Sequence, residues 1–307
     1  MHILFLFLDG IGLGPADPTT NPFVAASVPT LRSLAGGQAW TQHAVQTNTN
    51  RALFIPTDAN LGVSGRPQSA TGQGTILTGV NIPAELGYHY GPRPNDAIVD
   101  IVQRDTLIKK LTARNLETTL LNAYPPPFFA AIESGKRRPS SAQLALLAAG
   151  VRFRGMDDLR EGKALHVDFT GQLWHEHIRA ENPEWAVPVI SPQEAGQRIV
   201  SMAREADFTF FDNWLTDYIG HRGTLKDAID QLQTLDAVLA AILDAWADDE
   251  GLIILTSDHG NMEEMGHRKH TENLVPTVVI GSQRDAFADG LSDLSDFAPR
   301  ILEVFDD

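Results

Sequence analysis

The sequence predicts an α/β fold, a doubly wound and mostly parallel sheet with helices on both faces and a smaller inserted α+β cap domain. Residues 3–8 and 252–255 are apolar runs with the length of buried strands. Residues 225–246 show the apolar periodicity of a long amphipathic helix. Strand and helix patterns that follow one another in this way are typical of a sheet covered on both faces.

The middle of the chain differs from the segments on either side. Residues 86–188 contain stretches rich in Pro, Gly and Tyr, with predicted helices at about 96–114 and 141–149. We therefore expect a discontinuous metal-binding core, residues 1–85 and 189–307, interrupted by a cap or substrate domain at 86–188. A chain of 307 residues is long enough for one core with such an insertion.

Composition excludes several classes of protein. A formal charge of −15 argues against nucleic-acid binding, which needs a cationic surface. The absence of cysteine excludes disulfides, thiolate metal sites and cysteine nucleophiles, and it favours a reducing compartment, so we expect a cytoplasmic protein. No apolar stretch reaches membrane-spanning length. The run at 3–8 lacks the basic region and cleavage site of a secretory signal, and we expect a strand there. The oligomeric state stays open.

Charge is distributed unevenly along the chain. Residues 86–190 contain 13 Lys and Arg against 12 Asp and Glu, a net charge of +1, so the remainder carries −16. One interpretation is ordinary variation of a solvated surface. The other is that an acidic core holds cations while the middle segment supplies Arg and Lys to an anionic substrate.

An acidic residue ends the first predicted strand. Asp9 is followed by Gly10 and Gly12, which suit a dinucleotide-binding turn, but Pro15 occupies the third glycine position of that motif. The acid also lies where a pyrophosphate would approach. A metal ligand fits Asp9 better, and a simple turn carboxylate is the alternative.

Residues 67–79 are dense in small side chains and pass from a loop into a predicted helix. Ser69 lies at the helix start, where free N–H groups favour phosphate, so it is a candidate nucleophile. An ordinary N-cap serine is the alternative. Thr71 is the competing hydroxyl.

Further ligand types lie near later strand ends. Asp217 and His221 are four residues apart, so one helical turn directs both to the same ion. Asp258 and His259 directly follow the strand at 252–255, and a polar loop containing His270 precedes a predicted strand at 275–280. Together with Asp9 and Ser69, these groups suffice for two metals bridged by an oxyanion, as in phosphoryl transfer. His175-Glu176-His177 alternates like a strand face or an exposed loop, and we do not expect it to bind metal.

Five motifs in order resemble the metalloenzyme branch of the alkaline phosphatase superfamily, which contains cofactor-independent phosphoglycerate mutase and phosphopentomutase. They are Asp9-Gly10, Ser69-Ala70-Thr71-Gly72, Asp217-x-x-x-His221, Asp258-His259-Gly260-Asn261 and His270-Thr271-x-Asn273-x-Val275-Pro276. The resemblance implies an alkaline-phosphatase-like core and two divalent metal ions. The mixed oxygen and nitrogen ligands suit Mn²⁺ or Zn²⁺ best, with Mg²⁺ as the alternative.

The resemblance also implies roles for individual residues. One ion would be held by Asp217, His221 and His270, and the other by Asp9, Ser69, Asp258 and His259. Ser69, three residues before the motif glycine, would be the nucleophile that forms a phosphoserine. His270 is preferred over His267 because it directly precedes the Thr-x-Asn-x-Val-Pro tail. Secondary candidates for the site are Thr71, Gln73 and Asn273.

The substrate implied is a small phosphorylated metabolite, held between core and cap. The Ala70-Thr71-Gly72-Gln73 that follows Ser69 is closer to the alkaline phosphatases than to the mutases, so phosphomutase and phosphomonoesterase both stay open. Hydrolysis of another phosphate ester or diester, and metal-dependent ligand binding without turnover, are the alternatives. Candidate anion-binding side chains in the predicted cap are Arg93, Lys136, Arg137, Arg138, Arg152 and Arg154.

Overall fold

One seven-stranded sheet organises the chain. The computed structural model describes residues 1–178 and 182–306, without the side chains of residues 177 and 178. The strands are β1 (His2–Leu8), β2 (Thr47–Asn48), β3 (Ala52–Thr57), β4 (Thr118–Leu120), β5 (Phe208–Asn213), β6 (Gly251–Thr256) and β7 (Val275–Ile280). They lie in the order β2-β3-β7-β6-β1-β5-β4, so β1 is flanked by β6 and β5.

The sheet is mixed. β1 runs parallel to β5 and β6, and β4 runs parallel to β5. β7 is antiparallel to β3 and β6, and β2 is antiparallel to β3. The α/β class and the mostly parallel sheet are confirmed: β1, β3, β4, β5 and β6 run in one direction, and β2 and β7 run in the opposite direction. Parallel strands need a long crossover, usually helical, and the segment between β6 and β7 contains only a 3-10 turn at Met262–Glu264.

β1 separates two hydrophobic cores. Leu4, Leu6 and Leu8 pack in one cluster, and the residues that alternate with them pack in another. Successive side chains of a strand point to opposite faces, so the two clusters cover the two faces of the sheet. Because both faces are buried, residues 3–8 of β1 are all apolar rather than alternating with polar residues.

The helices cover both of these faces. The α-helices are α1 (Pro22–Ala25), α2 (Pro29–Leu34), α3 (Ser69–Thr78), α4 (Ile82–Leu86), α5 (Asp96–Arg104), α6 (Leu107–Ala113), α7 (Pro126–Glu133), α8 (Ser141–Ala148), α9 (Met156–Arg160), α10 (Pro192–Ala203), α11 (Leu215–Arg222), α12 (Leu225–Ala245), α13 (Arg284–Ala288) and α14 (Phe297–Val304). α10 and α12 pack on the leucine side of β1. α3, α5, α6, α8 and α14 pack on the opposite side.

The helix starts follow the capping signals of the sequence. The Ser191 hydroxyl accepts a hydrogen bond from the Glu194 N–H at 3.1 Å and begins α10. Thr224 and Asp227 form a reciprocal capping box that begins α12. The helix predicted at 96–114 is instead two helices, because the Thr106 hydroxyl caps a new start by accepting from the Lys109 N–H.

Part of the segment predicted as an insert packs into the core of the main sheet. β4 pairs with β5, and Ile98 of α5 and Leu111 of α6 join the cluster that contains Phe5. A smaller cluster around Trp174 lies further along the same segment. The division into residues 1–85 with 189–307 and residues 86–188 stays a prediction.

Among residues 1–178 and 182–306, no helix combines the length and apolar composition required to cross a bilayer.

The central phenylalanine of β1 gives a test of this core. Phe5 is fully buried, stacks on Phe210 with 5.5 Å between ring centroids, and meets Phe297 edge-on at 6.0 Å. We expect Phe5→Ala to lower the free energy of unfolding by about 3–5 kcal/mol, since it removes this packing and leaves a cavity. Urea denaturation measures the change. Val45→Ala, at a 62% exposed position, is the control and should change stability by about 0.5 kcal/mol or less. Equal effects of the two substitutions would contradict this packing.

Candidate metal centre and active site

The first predicted ligand set converges at the carboxyl ends of the central strands. Asp9 directly follows β1, and Asp258 lies two residues after β6, the parallel neighbour of β1. Ser69 begins α3, which packs over this edge. His259 Nε2 lies 3.0 Å from Ser69 Oγ, 3.3 Å from Asp9 Oδ1 and 3.6 Å from Asp258 Oδ2. One oxygen of each acid and a His259 nitrogen therefore lie within 4.8 Å of one another, close enough to bind one ion.

The second predicted set lies beside the first. His221 Nε2 is 3.0 Å from His270 Nε2 and 3.4 Å from Asp217 Oδ2. The spacing of four residues on α11 directs Asp217 and His221 to one place, as the sequence predicted. His259 and His270 stack with 3.7 Å between ring centroids, so the two ligand sets are in direct contact.

Ring orientation distinguishes His270 from His267. His270 is buried and its Nδ1 lies 2.8 Å from the Pro67 carbonyl, which leaves Nε2 directed at the ligand set. His267 is a half-exposed side chain that contacts Glu264. A histidine whose second nitrogen is held by a carbonyl is typical of metal ligands.

The electrostatics of the two clusters fit divalent cations. Asp9 Oδ1 and Asp258 Oδ2 are buried and have no hydrogen-bond donor among the described residues. Burial, and then the charges of Asp258, Asp217 and Asp212, raise the pKa of Asp9 well above its ordinary value. Burial and the charge of Asp217 raise the pKa of Asp258 in the same way. Buried oxygens without donors, among imidazoles, are the ligands that a divalent ion would satisfy.

The imidazoles at the centre favour their neutral form. Burial, and then the proximity of His270, lower the pKa of His259 well below its ordinary value. Burial also lowers the pKa of His270, against the opposing charge of Asp217. A neutral imidazole presents the lone pair that metal coordination needs.

Two glycines allow these elements to approach one another. A Cβ at Gly72 would lie 2.8 Å from Asp258 Cβ, so α3 reaches the end of β6 only because residue 72 has no side chain. Gly10 has a φ of +72°, and a Cβ at this position would lie 2.8 Å from Asp217 Cβ. Both glycines belong to the motifs that carried the prediction.

A buried carboxylate braces the ligand loops. Glu263 accepts hydrogen bonds from the N–H groups of Gly12 at 2.9 Å and Asn261 at 2.7 Å. The Asn273 side chain also donates to Glu263, at 3.0 Å. Burial raises the pKa of Glu263 above its ordinary value. The secondary candidate Asn273 therefore acts by orienting the Glu263 carboxylate. Glu263 itself was not predicted because it belongs to none of the five motifs.

The other two secondary candidates differ in position. Gln73 donates from Nε2 to Asp9 Oδ2 at 3.1 Å, so it contacts a predicted metal ligand. Thr71 donates to the Gln68 carbonyl at 2.9 Å within the first turn of α3. Its hydroxyl is engaged with the backbone, unlike that of Ser69.

A cavity of about 800 Å³ opens in front of Ser69. Of the six candidate anion-binding side chains, Arg93 and Arg137 line it. The same cavity is also lined by Ser69, Asp9, Asp217 and His221. The same cavity is therefore lined by the ligand sets and by two basic side chains of the predicted insert.

The remaining four cations do not line this cavity. Arg138 pairs with Asp96, and Arg152 pairs with Asp158 beside a separate surface depression. Arg154 donates to the Thr119 hydroxyl, and Lys136 is exposed. Sequence spacing does not tell which face of a loop a basic side chain takes, and a role in substrate binding stays a prediction for these four residues.

Several cavity residues were missed by the sequence reasoning. Asp212 is 3% exposed and its Oδ1 has no donor among the described residues. Burial raises the pKa of Asp212 to about 7, against the opposing charge of Arg93. An acid at the end of the strand at 208–213 was the available signal, the same signal that identified Asp9. Other missed lining residues are Asn122, Tyr124, Phe128, His166, Trp214, Tyr218, Arg222 and Arg268.

The His175-Glu176-His177 stretch is helical rather than strand-like. Residues Trp174–Ile178 form a π-helical turn. The side chain of His177 lies outside the described residues.

A family model described as the Metalloenzyme superfamily matches residues 96–306. The chain belongs to this superfamily. The resemblance to the alkaline phosphatase superfamily is thereby confirmed, and so is the expectation of an enzyme that works with divalent metal.

Curated relatives of this metalloenzyme match over part of their length. The 2,3-bisphosphoglycerate-independent phosphoglycerate mutase of Moorella thermoacetica is 31% identical over 123 residues, which are 38% of this chain and 24% of the relative. The corresponding mutase of Shewanella sp. strain ANA-3 is 35% identical over 126 residues, with the same coverage. The match thus spans about a quarter of the length of these relatives.

Solved structures extend the likeness to the whole fold. A protein from Pyrococcus horikoshii has a TM-score of 0.58 at 16% identity, with 99% of this chain and 96% of that chain covered. The alkaline phosphatase from the Antarctic bacterium TAB5 has a TM-score of 0.52 at 12% identity, with 99% and 97% covered. At such low identity, these likenesses establish the fold of the metalloenzyme.

Replacing the buried acid Asp258 by its amide should weaken metal binding and stabilise the metal-free protein. The folded-state pKa of Asp258 lies above its ordinary value of 3.8, so this group favours folding below about pH 4 and opposes it as the pH rises. We expect Asp258→Asn to raise the unfolding free energy of metal-free protein at pH 8 by about 1–3 kcal/mol, which is observed as a higher melting temperature. This gain should disappear as the pH falls toward 4.

The same variant should lose most of the thermal stabilisation that Mn²⁺ gives the parent protein. Differential scanning fluorimetry with and without EDTA measures both effects. Asp244→Asn, at an exposed acid, is the control and should change neither quantity. A full Mn²⁺ response in Asp258→Asn would contradict the role of Asp258 as a ligand.

Proposed function

We propose that this metalloenzyme is a two-metal phosphoryl-transfer enzyme, a phosphomutase or phosphomonoesterase that forms a phosphoserine at Ser69. The observation that carries the proposal is the position of the Ser69 hydroxyl, 3.0 Å from His259 Nε2 and beside the oxygens of Asp9 and Asp258 that lack donors. A hydroxyl among metal ligands is the arrangement for nucleophilic attack on a phosphate ester.

The proposed ligands divide into two sets. Asp9, Ser69, Asp258 and His259 would hold one ion, and Asp217, His221 and His270 the other. Bound divalent ions would lower the pKa of the serine hydroxyl and neutralise charge on the phosphoryl group. The mixture of oxygen and nitrogen donors suits Mn²⁺ or Zn²⁺ better than Mg²⁺.

The protein's own residues supply orientation. Ser69 stands at the first turn of α3, where N–H groups favour a phosphate. Arg93 and Arg137 line the cavity in front of it and would bind the anionic substrate. Attack by Ser69 Oγ forms an oxygen–phosphorus bond, and the ester bond to the leaving oxygen breaks. The phosphoryl group then passes to a substrate hydroxyl in a mutase, or to water in a phosphatase.

The substrate is proposed to be a small phosphorylated metabolite. A cavity of about 800 Å³ is of the size that proteins use for small molecules. The named relatives are phosphoglycerate mutases, which supports a phosphoglycerate-like substrate. A cytoplasmic location, inferred from the absence of cysteine, is part of the same proposal.

Product analysis tests the proposal. The protein would be incubated with phosphoglycerates, sugar phosphates and a phosphodiester, each with Mn²⁺, Zn²⁺ or Mg²⁺, and isomer and free phosphate would be recorded. We expect turnover of at least one monoester and its loss on addition of EDTA. Metal binding without turnover of any ester would favour a protein that holds a metal and a ligand without catalysis. Turnover of the diester alone would favour a diesterase.

Ser69→Ala should abolish turnover and the acid-stable phosphoprotein, with a loss of at least about 10³-fold in kcat. Mass spectrometry after a quench detects the adduct. Thr71→Val is the comparison, because its hydroxyl bonds the Gln68 carbonyl, and it should retain the adduct. Activity that survives Ser69→Ala but not Thr71→Val would move the nucleophile to Thr71.

A further inference from the structure

The cavity continues past the ligand sets along the carboxyl edge of the sheet. Asp212 of β5 lies opposite Phe7 of β1 in the strand register. Two residues after β4, the next strand outward, the Asn122 side chain donates to the Asp212 carbonyl at 2.8 Å and accepts from its N–H at 2.7 Å. Neighbouring strands are about 4.8 Å apart, so the row formed by Asp9, Asp212 and Asn122 leads about 10 Å away from β1.

One more segment extends this row. The Leu165 N–H donates to the Leu121 carbonyl and the Ala123 N–H donates to the Leu165 carbonyl, both at 2.9 Å. His166 therefore follows directly outside the end of β4, about 14 Å from β1 by strand spacing. His166 lines the cavity together with Ser69, Asp9 and Asp212.

Asp212 and His166 each present an unpartnered polar atom. Asp212 is 97% buried, and its Oδ1 has no hydrogen-bond donor among the described residues. His166 is 8% exposed and uses Nδ1 in a 2.7 Å contact with Asp168 Oδ1. In the part of the chain that the structure describes, His166 Nε2 has no hydrogen-bond partner.

Asp168 fixes the orientation of His166. The Asp168 carboxylate also accepts from the N–H groups of Gly171 at 3.0 Å and Leu173 at 2.8 Å. Burial by itself raises the pKa of Asp168, but the contact with His166 and the two N–H groups lower it below its ordinary value. The Asp168 carboxylate thus holds the Nδ1 side of the His166 ring, which leaves Nε2 available for a hydrogen bond to a ligand.

The wall of Tyr124 and Phe128 is aromatic. These rings stack with 4.1 Å between centroids, and both line the cavity. The Arg137 guanidinium lies 5.0 Å from the Phe128 ring centroid. An apolar wall in the same cavity as these two polar groups suits a carbon chain or ring that bears hydroxyl groups.

We propose that Asp212 and His166 form a subsite that binds hydroxyl groups of the substrate, so that the enzyme prefers phosphate esters of sugars or polyols over esters of simple alcohols. Asp168 is a positioning residue that acts through His166. This inference rests on the proposed function, because it concerns the alcohol part of an ester whose phosphate lies at Ser69.

Two esters that differ only in hydroxyl groups test the subsite. Protein loaded with Mn²⁺ would be assayed on glycerol 1-phosphate and on 1-propyl phosphate, which share the three-carbon chain and the phosphate. We expect kcat/KM to be at least about tenfold higher for glycerol 1-phosphate, the discrimination that one or two hydrogen bonds provide.

Variants locate the discrimination. Asp212→Ala and His166→Phe should each reduce the preference to within about threefold of unity, mainly by lowering kcat/KM for glycerol 1-phosphate. Asp168→Asn should raise KM for glycerol 1-phosphate by a larger factor than it lowers kcat. Asp244→Asn should keep the full preference. His166→Phe preserves a ring against Trp174, 5.4 Å away, which guards against loss of folding.

The outcomes separate this inference from the proposed function. Equal kcat/KM for the two esters in the parent protein, or an unchanged preference in both Asp212→Ala and His166→Phe, overturns the subsite while phosphoryl transfer stands. If neither ester reacts, calorimetric binding of the two esters to Mn²⁺-loaded protein decides the subsite. Tighter binding of glycerol 1-phosphate that both variants lose supports it, and equal binding overturns it.

Discussion

The site depends on two carboxylates held together away from water. Asp9 and Asp258 emerge from β1 and β6, which are adjacent parallel strands at the centre of the sheet, so the strand spacing fixes their separation. Each has a buried oxygen without a donor in the described residues, and burial raises the pKa of both. Neighbouring acids in a low dielectric oppose folding as they ionise, and a cation offsets that opposition. The sheet therefore holds two acids at a separation where a bound cation would stabilise the fold.

A second layer of hydrogen bonds holds these acids in place. The Ser257 hydroxyl accepts from the Ile11 N–H at 2.9 Å and donates to the His259 carbonyl at 3.0 Å, so the loops after β1 and β6 are joined. Asn261 donates to Asp217 Oδ1 at 2.7 Å, which ties the second ligand set to the first. Because these bonds are internal to the protein, the ligand geometry is set before any substrate arrives.

The chemical centre could be predicted from sequence because its residues stand in local motifs. Asp9, Asp258 and His259 follow apolar runs that fix their strand ends, and the four-residue spacing of Asp217 and His221 is a property of one helical turn. The antiparallel course of β7 depends on how a loop returns, and pairing partners are not written in local periodicity. The substrate end was missed for a similar reason: Asp212, Asn122 and His166 become neighbours only through the pairing of β5, β4 and the segment after them.

The two ends of the cavity therefore differ in how they are built. At the metal end, the central strands are buried on both faces, and Gly72 lies so close to Asp258 that few changes fit. At the other end, the lining comes from the segment after β4, from α7 and from the loop that follows α7, where Arg137 is exposed and Tyr124 and Phe128 stack on each other and on Phe153. Under the proposed function, the metal end would perform the phosphoryl transfer and the outer edge of the sheet would select the ester.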